Sequence, residues 1–164
     1  MIIRPIEVRD AVTFLELGKR VEDSGFMLFE PGEKTRTADE QRRIIERIIP
    51  DKKSTILVAE EENRLIGYLQ AMGSNIKRIR HSAHLALGVA EEYRGKGIGT
   101  RLFEELFKWA EEAEISRLEL SVIKHNFNAF NLYRKMGFVL EGEKVNSLFI
   151  NGEPVNEYYL YKLL

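Results

Sequence analysis

The chain has 164 residues, the size of one domain able to bury a core without disulfide or metal staples. With 44% hydrophobic and 31% charged residues its composition is that of an ordinary globular protein, and a formal net charge of −1 gives no global field to draw it to nucleic acid or an anionic membrane. It has no cysteine, which excludes disulfides, thiolate metal sites and a cysteine acyl-enzyme.

The opening MIIRPIEVRD has no apolar signal core, and no run is long enough to span a bilayer, so a cytoplasmic protein is expected. MIIRP reads as a first strand. Asp10 then caps a helix to about Val21, with Val12, Phe14, Leu15 and Leu17 on its inner face. The loop SGFMLFEPGEKTR is too apolar, through Phe26, Met27, Leu28 and Phe29, to be a plain solvated connector. Thr37 to Glu40 has capping-box spacing and starts a second helix, which buries Ile44, Ile45, Ile48 and Ile49 and stops at Pro50.

Strands follow. STILVAEE and RLIGYLQAMG flank a short turn as an antiparallel hairpin, and HSAHLALGVA is apolar enough to be covered on both faces. Leu102, Phe103, Leu106, Phe107 and Ala110 place a helix over Thr100 to about Ala113. RLELSVI alternates as a strand. NAFNLYRKMG is a short helix ended by Gly137. KVNSLFI and EPVNEYYLYKLL flank Asn151-Gly152, a hairpin turn signal. No linker or repeat interrupts the pattern. It predicts one α/β domain over residues 1–164, with a mixed, mostly antiparallel sheet of about seven strands flanked by about four helices.

One junction stands out. In EEYRGKGIGTRLFEELFKWA, three glycines (Gly95, Gly97, Gly99) alternate with Lys96 and Ile98 after Arg94, between a strand and a helix. A helix N-terminus offers unpaired N–H groups and positive potential, glycines let backbone approach closely, and the two cations add charge. That combination reads as a phosphate cradle. It is not a Walker loop, because Lys96 sits between the glycines, and the G-x-G-x-G spacing late in the chain is not a dinucleotide fingerprint.

The stretch YRGKGIGTRL resembles the acetyl-coenzyme A loop of the GCN5-related N-acetyltransferases: an arginine or glutamine, then glycine three positions on, then glycine or alanine two further. Arg94, Gly97 and Gly99 fill those places. NFNAFNLYRKMGF resembles a second motif of that family through Asn126, Ala129, Leu132, Tyr133, Lys135, Gly137 and Phe138. The order of elements resembles the family along the whole chain, and the overall pattern, including the ending INGEPVNEYYLYKLL, is most similar to the members resembling ribosomal-protein alanine and diamine acetyltransferases.

The resemblance implies a GNAT-like domain that uses acetyl-CoA as cosubstrate. The strand before the loop would splay from its neighbour and pair its backbone at Leu87, Gly88 and Val89 with the pantetheine arm. Gly88 within a strand fits close approach of another backbone. The pyrophosphate would sit on the N–H groups of Gly95, Lys96, Gly97, Ile98, Gly99 and Thr100, and Asn126 would meet the pantetheine or its flanking loop. Tyr133 would protonate the leaving thiolate, which suits a phenol of pKa about 10 beside a thiol of about 8.5. An amine would attack the thioester directly, with the oxyanion on the Val89 N–H. His84, His81 and Glu119 are the candidate bases. His81 and His84 lie on opposite strand faces, so no metal pair is expected. His125 reads as a loop residue, and Lys77–His81 as a charged loop at the sheet edge.

The resemblance implies that the acceptor, a small amine or a protein N-terminus, is chosen by about Phe26–Thr37 and Phe149–Tyr159; Glu30 and Glu33 could attract a cationic amine, and protein N-terminus, polyamine, amino acid and antibiotic are all open. No nucleic acid or membrane partner is expected, and the C-terminal hairpin is a candidate for pairing with a second copy. The alternative is a coenzyme A-binding sensor or structural module without catalysis, for which Tyr133 would have no use.

Overall fold

The computed structural model describes residues 1–164. In chain order the elements are β1 (Ile2–Pro5), α1 (Ala11–Glu22), α2 (Ala38–Ile48), β2 (Thr55–Glu61), β3 (Arg64–Gly73), β4 (Ser82–Val89), α3 (Ile98–Glu112), β5 (Arg117–Ile123), α4 (Phe127–Lys135), β6 (Val139–Ile150) and β7 (Glu153–Leu163). Single 3-10 turns at Val8–Asp10 and Glu91–Tyr93 precede α1 and the glycine loop. The strands form one sheet in the order β1-β2-β3-β4-β5-β7-β6. Every pairing is antiparallel except β4 with β5. The expected α/β architecture, with seven strands and four helices, is therefore what forms.

Each face of the sheet carries its own core. α3 lays Leu102, Phe103 and Leu106 on Leu57, Leu69, Leu85, Leu118 and Leu120, and Tyr133 and Phe138 join them from around α4. On the other face α1 and α2 set Leu17, Val21 and Ile45 against Ile56, Val58 and Tyr68. Alternation then sorts β4: Ala83 and Leu85 point to α3, so His84, Ala86 and Gly88 point to the α1/α2 face.

The structure departs from the sequence reading at several points. Val12 and Ile49 lie on exposed faces, while Ala11 and Val21 complete the buried stripe of α1. β4 is not covered on both faces, since His84 is open to solvent where α1 and α2 do not reach. β6 starts at Val139, earlier than the Lys144 expected, because its alternation is broken by register shifts along β7. The capping box of α2 is as predicted: Thr37 Oγ1 accepts from Glu40 N–H at 3.2 Å and Glu40 accepts in turn from Thr37 N–H at 2.8 Å.

Asp10 does not cap α1. Its carboxylate instead holds the Arg4 fork, Nη1 at 2.7 Å and Nη2 at 2.9 Å, and accepts the Glu7 N–H at 2.8 Å. Arg4 reaches back with Nε to Glu60 at 2.7 Å, so β1, β2 and the start of α1 are tied at one point. Burial pushes the Asp10 pKa up, but the Arg4 hydrogen bonds and charge outweigh it and hold the carboxyl below its ordinary value. The unfolded chain therefore binds this proton more readily. The stabilisation is complete above the unfolded carboxyl pKa of about 4 and fades as pH falls toward the lower folded value. Melting from pH 7 to pH 3 should lower Tm more steeply in the wild type than in Asp10→Asn. Equal slopes would show that this pair does not govern acid stability.

Candidate active site

β4 and β5 run parallel, and they pair only at Ser82–Arg117, Ala83–Leu118 and His84–Glu119. Beyond His84, β4 continues to Val89 along β3 alone, and β5 continues to Ile123 along β7 alone. The sheet opens there. Ala90 N–H donates to Ile66 C=O, which with the β3–β4 register turns the even-numbered residues of β4 toward β3. Leu87 consequently turns both its N–H and C=O into the opening, with the C=O of Leu85 and the N–H of Val89, while the last rung uses the Leu85 N–H and Arg94 takes the Val89 C=O. The opened stretch of five residues spans roughly 17 Å at strand rise. This is the splay expected beside Leu87, Gly88 and Val89.

Gly88 has a different reason from the one its sequence suggests. Its pairing with Tyr68 is regular, without a bulge. A Cβ there would lie 2.5 Å from Tyr68 Cε1 and 2.8 Å from Val21 Cγ1. The ring and the end of α1 cover the glycine.

The glycine loop closes the wide end of the opening. Gly95 (φ 73°) and Gly97 (φ 78°) are left-handed, and a Cβ at either would meet nothing within 4 Å, so backbone conformation rather than space demands glycine. α3 begins at Ile98, two residues before the Thr100 expected. Gly97 is its N-cap and supplies no side-chain acceptor. The first intrahelical bond is Arg101 N–H to Gly97 C=O, which leaves the N–H groups of Ile98, Gly99 and Thr100 without helical partners. The loop at Gly95, Lys96 and Gly97 beside them is exposed, at the positive end of the helix. Arg94 is a brace: its Nε donates to Val89 C=O at 3.2 Å, fixing loop to strand. Lys96 stands over the Tyr93 ring at 4.9 Å.

α4 is laid directly on this turn. A Cβ on Gly99 would meet Leu132 Cδ2 at 2.6 Å, so only glycine lets the two helices come this close. Tyr133, the next residue, is 7% exposed and packs edge-on to Phe103 at 5.9 Å and near Phe138 at 6.1 Å. Its hydroxyl makes no hydrogen bond within the chain. Burial, and then Tyr68, push its pKa well above the usual phenol range, so the proton is retained at neutral pH. Asn126 is the N-cap of α4, its Oδ1 accepting from Ala129 N–H at 3.3 Å.

His84 and Glu119 meet on the last paired rung, Nδ1 to Oε1 at 3.9 Å, on the α1/α2 face and open to water. Arg117 holds Glu119 at 3.2 Å and Glu141 at 2.7 Å. His81 lies in the turn before β4, away from His84, and no group of side chains is disposed to bind a metal. Acid and base candidates thus sit on opposite faces of the sheet, with the opening between them.

Two residues not singled out in the sequence belong to this region. Tyr68 is opposite Gly88 on β3, and burial, then Glu22, push its phenol up to about 12. Glu22 ends α1 and is buried. An aromatic paired across a sheet with a glycine is the available signal for Tyr68, but it depends on a register the sequence does not display. Phe26 in the α1–α2 loop reaches His125 at 5.6 Å, so the apolar loop bridges toward α4. Glu33 closes that loop on Glu30 N–H at 2.9 Å. Near α4, Phe130, Tyr158, Pro154 and His125 line a groove of about 570 Å³ beneath the β6–β7 hairpin. No helix is long and apolar enough to cross a membrane.

Residues 23–138 match the model of the acetyltransferase (GNAT) family. The spermidine N(1)-acetyltransferase of Escherichia coli (strain K12) is 27% identical over 155 residues, covering 94% of this chain and 81% of the relative. The crystal structure of a GNAT-family acetyltransferase from Streptococcus pneumoniae superposes with TM-score 0.95 at 28% identity over 99% of both chains. A GNAT phosphinothricin acetyltransferase from Sinorhizobium meliloti, solved in complex with acetyl-CoA, shares the fold with TM-score 0.87 at 22% identity over 99% of this chain and 88% of its own.

Because Gly97 is left-handed in open space, Gly97→Ala should cost about 1–2 kcal/mol through backbone strain alone. At roughly 2–4 °C per kcal/mol that is a Tm fall of about 2–8 °C. Gly142→Ala, at a strand position with open space and no positive φ, should show no fall. If both variants melt like the wild type, the loop does not need its left-handed turn.

Proposed function

The chain belongs to the acetyltransferase (GNAT) family, and we propose that it moves an acetyl group from acetyl-CoA to a primary amine by direct attack in a ternary complex. The observation that carries this reading is the opening between β4 and β5, with a donor cradle at one end and a buried, unpartnered phenol beside it. A flexible chain that carries amides, ending in a thioester and beginning in a pyrophosphate, suits that shape. The pyrophosphate would take the N–H groups from Gly95 to Thr100. The pantetheine amides would run along the opened edge from Val89, in place of the missing strand, with Asn126 alongside.

The reaction follows from the two faces. The amine arrives on the α1/α2 face and loses a proton to His84 or Glu119, directly or through water. Its lone pair attacks the thioester carbon, and the Leu87 N–H, deeper in the opening than the Val89 N–H and nearer to His84 and Glu119, holds the oxyanion. The C–S bond breaks, the electrons leave on sulfur, and Tyr133 supplies a proton to the thiolate. The products are an amide and free coenzyme A. A retained proton on a desolvated phenol, beside growing negative charge, is the chemistry such a step needs. A pure coenzyme-binding module would have no use for it. The acceptor is a small amine or a protein N-terminus.

Acetyl-CoA at a hundred times its dissociation constant should add about 2.7 kcal/mol of stability, a Tm rise of roughly 5–10 °C. Coenzyme A should do the same, and NAD and ATP should not. A rise only with NAD or ATP would refute the cradle assignment. Tyr133→Phe should lower kcat about 10²–10⁴-fold with the acetyl-CoA-induced rise intact. Full turnover in that variant would remove Tyr133 from the mechanism.

A further inference from the structure

Glu22 is the last residue of α1, and its side chain is only 10% exposed. A carboxylate this far into the protein is stabilised by donors, because taking a charge largely out of water without them is costly. Asp10 in this same chain has them, in the Arg4 fork and the Glu7 N–H. Glu22 does not. No hydrogen bond reaches either oxygen, and its one cation is Lys34 Nζ at 3.9 Å, beyond hydrogen-bond reach. Lys34 is ill-matched as well: burial and then Arg36 push its pKa down, and Glu22 does not restore it.

The position of Glu22 gives the mismatch meaning. Val21, immediately before it, packs over Gly88 in the opened half of β4. The charge of Glu22 is felt at Tyr68, whose ring covers the same glycine. Phe26, four residues on, crosses to His125 at the start of α4. A buried, under-partnered anion therefore stands on the α1/α2 side of the opening, where the acceptor must come from if Tyr133 serves the other side.

Which nitrogen would it hold? An anion beside the attacking amine would favour its protonated form and oppose attack. An anion that binds a second, non-reacting ammonium positions the substrate without that penalty. We propose that Glu22 anchors a second ammonium group of the acceptor, which is then a diamine or longer polyamine, and that Lys34 is the cation this group displaces. This rests on the transferase reading of the same site and adds the substrate class to it.

The test compares 1,4-diaminobutane with butylamine, following thiol release from acetyl-CoA by wild type, Glu22→Gln and Lys34→Met. The wild type should favour the diamine about tenfold or more in kcat/KM, the value of one lost charge-assisted bond, with the gain in KM. Glu22→Gln should abolish the preference by raising the diamine KM, while the acetyl-CoA melting shift stays as in wild type. Lys34→Met should lower the diamine KM or leave it unchanged. If Glu22 and Lys34 merely clamp the loop together, both variants will lose activity toward both amines alike, and the proposal fails. It fails also if the wild type treats the two amines equally. Either result leaves the transferase reading standing. Acetyl-CoA binding without thiol release to any amine would instead overturn the transferase reading, and this inference with it.

Discussion

The proposed site depends on a parallel strand pair that is left unfinished. β4 and β5 share three rungs and then part. Backbone N–H and C=O groups are obligatory hydrogen-bonding groups, and a strand released from its ladder must find partners elsewhere. The β4 stretch from Leu85 to Val89 is held on one side by β3, while the Leu85 C=O, both polar groups of Leu87 and the Val89 N–H face the gap. A ligand that carries amides can complete the ladder. The sheet is thus built as a receptor by omission, with the pairing geometry already fixed.

The rest of the structure keeps the gap open and furnishes its ends. Tyr68 and Val21 cover Gly88 from one face, where any larger residue would collide with them. Leu132 rests on Gly99 from the other face, which brings Tyr133 against the first turn of α3. Arg94 ties the glycine loop back to Val89, and Arg20 joins Glu92 at 3.1 Å and Leu65 C=O at 2.7 Å, pinning the preceding turn to α1 and β3. The Arg4–Asp10–Glu60 cluster does the same for the outer strands. In this region glycines occur where two elements must touch or where the chain must turn left-handed, and in both cases the site is what requires it.

How much of this is legible in the sequence follows the distance over which each feature is determined. The glycine loop, the Thr37 capping box, the Asn151-Gly152 turn and the short helix bearing Tyr133 are set by neighbours within a few residues, and each is readable. The strands are readable from apolar runs, alternation and turn signals together. The opening itself is expected only from resemblance, because it arises from the pairing of residues more than thirty positions apart. Asp10 looks like a cap because its local sequence is that of a cap; Arg4, paired through the sheet, claims its carboxylate. Val12 and Ile49 look internal because periodicity gives a stripe without saying where the neighbouring element ends. Tyr68 and Glu22 carry no local signal at all. A tyrosine in a strand and a glutamate at a helix end are commonplace until the register puts one over Gly88 and the burial isolates the other.

The three-rung junction also divides the sheet in a kinetic sense. β1 to β4 form an antiparallel run of neighbours in sequence, and β5 to β7 form a second unit; the crossover through α3 carries the apolar core they share. Contacts among β2, β3 and β4 close short loops, whereas the β4–β5 rungs must wait for the α3 crossover and β1 joins β2 only across α1 and α2. Amides at Leu87 and Val89 lie at the seam and are the ones whose protection from hydrogen exchange depends on what occupies the gap. Filling it would join the two units into one cooperative body, so the cosubstrate would act as a missing piece of the fold's own hydrogen-bond network.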